Sequence, residues 1–121
     1  MSINFEFAPG IPNRRHKEIP RISEPQIMRL AIQKHDALRA GSHKDLRIVD
    51  PKTGKAYSWA VRNLPTIPGD RVLAVLQPTH TENYAGWSGT IPSGYGAGKV
   101  ELFSDEKIEV TKADLDHITF N

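Results

Sequence analysis

The stretch His43-Lys44-Asp45-Leu46-Arg47-Ile48, "HKDLRI", decides how this chain is read. Taken as a β-strand, its successive side chains point to opposite faces. His43, Asp45 and Arg47 then share one face. Leu46 and Ile48 share the other, with Lys44 at its open end. The apolar face can pack on a core. The polar face lines up a nitrogen ligand, an anionic oxygen ligand and a guanidinium. The first two are metal-binding chemistry, and the third clamps anions.

Working outward, "QIMRLAIQKH" (Gln26–His35) alternates in the same way. Met28, Leu30 and Ile32 fall on one face, and Arg29, Gln33 and His35 on the other, which predicts a strand. "HDALRAGS" reads as a turn or one helical turn. If the two strands pair antiparallel around it, His35 arrives beside His43 and Asp45. "DPKTGK" (Asp50–Lys55) is a hairpin connection. "AYSWAVR" alternates with Tyr57, Trp59 and Val61 on one side, and "NLPTIPGD" is a Pro/Gly loop. "RVLAVLQ" is a continuous apolar run, expected as a strand buried on both faces. "PTHTENYAGWSG" reads as irregular with one helical turn. "TIPSGYGAG" is a glycine-rich loop. "KVELF", a turn at "SDEK" and "IEV" form another expected hairpin, and "DHITFN" begins a last strand.

Short strands, close turn signals and no long helical pattern predict a mainly β protein. The expected form is a compact single-domain antiparallel β-barrel with short peripheral helical turns. Residues 1–25 read as an irregular basic arm, with four of the nine prolines and the cluster "NRRHK". Residues 26–121 read as the barrel, whose final strand stops mid-pattern at Phe120 and Asn121. An edge left unpaired there implies either economical closure or a C-terminally truncated piece.

Composition narrows the function. A chain of 121 residues predicts one domain with a modest core. With no cysteine there are neither disulfides nor thiolate zinc sites, so any metal is held by His, Asp or Glu. No apolar run is long enough to span a membrane, and "MSINFEFAPG" lacks signal-peptide features. An intracellular protein is expected. The formal charge of +2 hides an asymmetry: residues 1–62 carry 12 Lys/Arg and 6 Asp/Glu, giving +6, whereas residues 63–121 carry 4 and 8, giving −4. A basic half suggests an anionic partner, although chance clustering on a solvated surface produces the same numbers.

Imidazole and carboxylate donors together suit Mn, Fe, Co or Zn. His43 and Asp45, two apart on one strand face, can converge on one ion. An H-x-D pair alone is more often a surface His–carboxylate contact. Arg47 on the same face gives the pair a further meaning, because its planar fork matches phosphate oxygens. In "HTENY", a helical turn would make His80 and Tyr84 neighbours, able to donate to phosphate or to protonate a leaving group. "GTIPSGYGAGKV" is not a Walker loop, since Lys99 leads into a strand rather than a helix. Its glycines read as devices for positive φ and close backbone packing, with Tyr95 able to project from the loop.

The ordered series "QKHDA" (33–37), "HKDLR" (43–47), "SWAV" (58–61), "PGDRVLAV" (68–75), "HTENY" (80–84) and "GTIPSGYGAGKV" (89–100) resembles the 3′-phosphoesterase domain family of bacterial and archaeal DNA ligase D. The resemblance covers roughly Glu24 to Val110. It implies a compact β-barrel enzyme, dependent on Mn²⁺, with Co²⁺ or Zn²⁺ as alternatives. Such enzymes remove 3′-phosphate, and in some members 3′-terminal ribonucleosides, from broken DNA. It further implies His35, His43 and Asp45 as metal ligands, and Arg47, His80 and Tyr84 as phosphate contacts. In the arm, "HKEIPRISEP" would supply Lys17, Glu18 and Glu24 to the substrate. The expected partners are DNA ends bearing a 3′-phosphate or 3′-ribonucleotide, and a separate ligase or polymerase, with the chain itself a monomer. The alternative from another class is a non-catalytic nucleic-acid end-binding module on the same fold.

Overall fold

The computed structural model describes residues 3–7, 22, 24–64, 71–94, 96–113 and 117–120. Among the described residues, eight strands and one helical turn follow each other: β1 (Ile3–Phe7), β2 (Gln26–Ala37), β3 (Gly41–Val49), β4 (Lys55–Val61), β5 (Arg71–Thr81), α1 (Glu82–Ala85), β6 (Gly89–Ile91), β7 (Gly98–Ala113) and β8 (His117–Phe120). They form one strongly curled sheet in the order β2-β3-β4-β5-β1-β8-β7-β6. A further pairing of β2 with β7 carries the hydrogen-bonded circuit back to its start, so the sheet is barrel-like.

The expected mainly β, antiparallel architecture is observed, with one parallel pair, β1 on β5, among the described strands. The arm expected to be irregular over 1–25 contributes β1, which also pairs antiparallel with β8. Ile22, from the same arm, bridges to Ala113. The last strand is therefore no open edge: β8 lies between β1 and β7.

Parity sorts the side chains of β2 and β3 into two environments. Met28, Leu30 and Ile32 of β2 and Leu46 and Ile48 of β3 enter the main core, with Trp59 and Val61 of β4, Ile108 and Val110 of β7, and Ile118 and Phe120 of β8. Burying one such large apolar side chain contributes about 1.5–3 kcal/mol, so this face fixes the register of the sheet. The opposite face carries a small apolar patch, Ala31, Val49 and Ala56, covered by Ala85 of α1 with Leu102 beside it. Above that patch stand the polar residues of the opening motif.

The hairpins follow local chemistry. Gly41, with φ +76°, opens β3 after the Leu38–Ala40 turn. The Asp50–Lys55 connection is closed by the Asp50 N–H donating to the Lys55 carbonyl at 2.9 Å, with Gly54 at φ +73°.

Two expectations fail in this half of the chain. No turn forms at "SDEK": β7 runs for 16 residues and pairs with β2 from Gly98 to Val110, with one register shift at Phe103. The polar run reads as a turn, but one face of this strand meets solvent. Asp105 there is held by Arg29 across the pair at 2.9 Å. Nor is β5 buried on both faces, because Val75 remains 43% exposed while Ala74 is fully covered.

Candidate metal centre

The β2–β3 register sets His35 opposite His43, Gln33 opposite Asp45 and Ala31 opposite Arg47. Residues directly opposite in an antiparallel pair share a face and lie within side-chain reach. Two adjacent strands thus project His35, His43, Asp45, Gln33 and Arg47 into one small region. One ligand atom from each of His35, His43 and Asp45 lies within 4.8 Å of the others.

Carbonyl groups set the imidazole tautomers. His35 Nε2 is 2.8 Å from the Gly96 carbonyl and His43 Nδ1 is 3.3 Å from the Gly41 carbonyl. A carbonyl only accepts, so these two nitrogens carry the protons. The other nitrogens, His35 Nδ1 and His43 Nε2, each face one oxygen of Asp45 at 3.1 Å. With neutral rings, two nitrogen lone pairs and a carboxylate then converge on one point with no proton between them. A cation satisfies that arrangement. Ring N–H groups anchored on carbonyls are also the usual outer support of metal-binding histidines. The donor set therefore fits a divalent metal with N and O preference.

The glycine-rich loop supplies one of those anchors, and its geometry depends on glycine. Gly98 has φ +145°, and a Cβ there would collide with the Asp36 carbonyl oxygen. Only a glycine lets β7 start this close to β2, and the Gly96 carbonyl is thereby brought to His35 Nε2.

Arg47 continues the face behind Asp45. Its side chain is only 4% exposed. Nε donates to Gln33 Oε1 at 2.9 Å, and an Nη donates to Asp45 Oδ2 at 3.4 Å. Gln33 in turn donates through Nε2 to the carbonyls of Tyr84 and Trp87, at 2.7 and 3.0 Å. Gln33 is fully buried and ties the guanidinium to α1. Alternation placed it on the polar face, but nothing in the sequence marked it as the link between Arg47 and "ENYA".

His80 and Tyr84 meet, though not on one helix. His80 is the penultimate residue of β5, and a register shift between Ala56 and Ser58 in the β4–β5 pairing sets it opposite Ala56, on the site face. Tyr84 lies in α1, whose cap is Thr81. The His80 and Tyr84 rings stack with centroids 4.3 Å apart, and the Arg47 guanidinium lies 5.1 Å from the Tyr84 ring centroid. Of the arm residues, Glu24 is exposed, and Lys17 and Glu18 lie outside the described residues.

The electrostatics are coupled. Burial works to raise the Asp45 pKa, but the His43 hydrogen bond and the charges of Arg47, His43 and His35 outweigh it and hold the carboxyl below its ordinary value. The bond to Asp45 raises the His43 pKa against the opposing effect of burial. Burial lowers the Arg47 pKa, opposed by the charges of Asp45 and Tyr84. Burial likewise raises the Tyr84 phenol.

The model of the DNA ligase D 3′-phosphoesterase domain matches residues 33–119, spanning the whole cluster together with His80 and Tyr84. The chain belongs to this family. It is 41% identical over 83 residues to the multifunctional non-homologous end joining protein LigD of Pseudomonas aeruginosa, covering 67% of this chain and 9% of that protein. Its counterpart in Mycobacterium bovis is 40% identical over 83 residues, 67% of this chain and 10% of the relative. That of Mycolicibacterium smegmatis is 36% identical over 98 residues, 79% of this chain and 12% of the relative. The chain thus spans about a tenth of the length of the curated relatives it matches. Within this 3′-phosphoesterase-family domain, the matched segment begins at Gln33 and leaves Lys17, Glu18 and Glu24 outside it. Among the described residues no helix is long and apolar enough to cross a membrane.

Proposed function

We propose that the domain is a metal-dependent phosphoesterase that removes phosphate from 3′ ends of broken DNA. The observation that carries this reading is the His35–His43–Asp45 cluster standing directly beside the buried Arg47 guanidinium. Metal-ligand chemistry and phosphate-binding chemistry share one strand face, so a phosphoryl group held by Arg47 would lie next to the ion site. His35 Nδ1, His43 Nε2 and Asp45 would hold the ion, Mn²⁺ by preference and Co²⁺ or Zn²⁺ as alternatives. The chemistry such an ion supplies is polarisation of a phosphoryl oxygen and acidification of water.

The chain's own residues supply the rest. Arg47, held in plane by Gln33 and Asp45, binds the non-bridging phosphoryl oxygens and stabilises the charge that grows on them. His80 and Tyr84, stacked beside it, donate hydrogen bonds to the same phosphate. As a water oxygen bonds to phosphorus and yields its proton to solvent, the bond from phosphorus to the 3′ oxygen breaks, and one of this pair gives its proton to the departing oxygen, so that inorganic phosphate and a 3′-hydroxyl result. The burial of Asp45 and Arg47 keeps these contacts in a medium of low dielectric, where they are stronger than in water. Lys17, Glu18 and Glu24 would extend the substrate surface. The domain would act inside the cell as a monomer, on ends that a ligase or polymerase then uses, and would also take 3′-ribonucleotide ends.

The test is phosphate release from a 3′-phosphorylated primer-template with Mn²⁺, with and without chelator. Release that chelation stops and Mn²⁺ restores is expected. Retention of the 3′-phosphate with each of Mn²⁺, Co²⁺ and Zn²⁺ would leave the end-binding module as the function.

A further inference from the structure

Three rings, not two, form the stack at the edge of the site. Beyond His80 and Tyr84, Trp87 lies parallel to Tyr84, with centroids 5.6 Å apart and planes 22° from parallel. This is offset-stacked geometry. The indole also rests on Gly89. A Cβ at Gly89 would stand 2.8 Å from Trp87 Cη2 and 2.9 Å from Cε2, closer than carbon atoms pack. The ring therefore packs against both a phenol and a bare Cα.

The segment carrying Trp87 is fastened on both sides. Gly89 pairs with Val100 of β7, and the Ser88 hydroxyl accepts from the Leu102 N–H at 2.8 Å. The Trp87 carbonyl accepts from the buried Gln33 amide, the group that also holds Arg47. α1, only four residues long, has little rigidity of its own. The phenol of Tyr84 needs a fixed plate behind it to stay over Arg47.

From this geometry we infer that Trp87 is a positioning residue for the phosphate-binding pair: seated on Gly89, it holds the Tyr84 ring over Arg47 and against His80. Trp87 is not one of the ion-site residues. It acts through Tyr84. The inference rests on the phosphoesterase reading for its kinetic consequence, but not for its geometric one.

Two readouts separate these. In solution, nuclear Overhauser contacts between the Tyr84 ring and the Arg47 side chain report the pose without any turnover. They are expected in the wild type and in Trp87→Phe, and lost in Trp87→Ala, Trp87→Leu and Gly89→Ala. Their absence from the wild type, or their persistence in Trp87→Ala, overturns the inference. Phosphate release from a 3′-phosphorylated primer-template gives the second readout. Trp87→Ala should lower kcat by about tenfold or more, since small misplacements of a contact group cost up to that scale and beyond. Mn²⁺ affinity by calorimetry should stay within about twofold, because the ligand cluster is untouched. Trp87→Phe should restore kcat, and Trp87→Leu, which fills space without a flat face, should not. Equal rescue by Leu and Phe would reduce Trp87 to a filler and overturn the inference. Should Trp87→Ala fail to fold, Gly89→Ala displaces the same ring and takes its place. A wild type that releases no phosphate yet shows the contacts refutes the phosphoesterase reading alone.

Discussion

His35 and His43 stand directly opposite each other in the β2–β3 register, ring centroids 4.8 Å apart, and both turn a nitrogen on the same Asp45 carboxylate. The metal-free domain can satisfy that triangle only with protons. His43 has its pKa raised by Asp45, so its pairing stabilises the apo fold below the ordinary imidazole value near 6.5 and is lost as pH rises through the raised value. Asp45 has its pKa lowered, so its share is present above the ordinary 3.8 and is lost as pH falls through the depressed value. The chelated protein should therefore lose thermal stability on the alkaline side of the His43 titration, and metal should restore it there. Melting curves across pH, with and without Mn²⁺, check this. A His43→Gln variant should flatten the apo profile.

Metal affinity should rise with pH over the same window, since protons and ion compete for His43 Nε2. Calorimetric titration of Mn²⁺ at several pH values measures it. An affinity indifferent to pH across the His43 titration would place the ion elsewhere.

Arg47 and Lys44 are close in sequence but lie on opposite faces of β3. Lys44 reaches over the Phe103 ring, 5.7 Å from its centroid, away from the cluster. Arg47→Ala should cost on the order of a hundredfold in phosphate release, and Lys44→Ala little. Arg47→Lys should also fail to restore activity, because an ammonium cannot bond Gln33 and Asp45 and still present a planar fork. Steady-state rates of the three variants decide it.

His80 lies in the stack with Tyr84 rather than in the triangle of ligand atoms. His80→Ala should abolish or strongly reduce phosphate release and leave Mn²⁺ affinity nearly unchanged. A large fall in affinity by calorimetry would move His80 into the ion's shell.

Gly98→Ala combines strain at φ +145° with a clash on the Asp36 carbonyl. It should destabilise by about 1–3 kcal/mol in chemical denaturation. Through the displaced Gly96 carbonyl it should also weaken Mn²⁺ binding by about tenfold or more, the usual effect of disturbing a ligand's outer support.

Much of this was legible in alternation. A period of two assigned Met28, Leu30, Ile32, Leu46 and Ile48 to the core and His35, His43, Asp45 and Arg47 to one polar face, because each strand is packed on one side and the pleat leaves no third choice. Charged runs were read less well. "SDEK" carries the composition of a turn, yet its backbone donors and acceptors are met by β2, which no local signal announces. The placement of β1 was also hidden, since "INFEF" gains its strand identity from β5 and β8, far away in sequence. Gln33 and the β4–β5 register shift escaped for the same reason: both matter through partners that only the folded sheet brings near.

The β2–β3 hairpin also dictates where the chain tolerates a change of length. Removing Lys44 or Asp45 would turn over the strand beyond it, handing Leu46 and Ile48 to the site face and driving Arg47 into the barrel, so core and chemistry would fail together. At Arg39–Ala40 the same deletion alters only an exposed turn. A mutagenesis library that varies spacing at that tip while leaving both strands intact would tune the approach to the His35–His43 pair without rewriting either face.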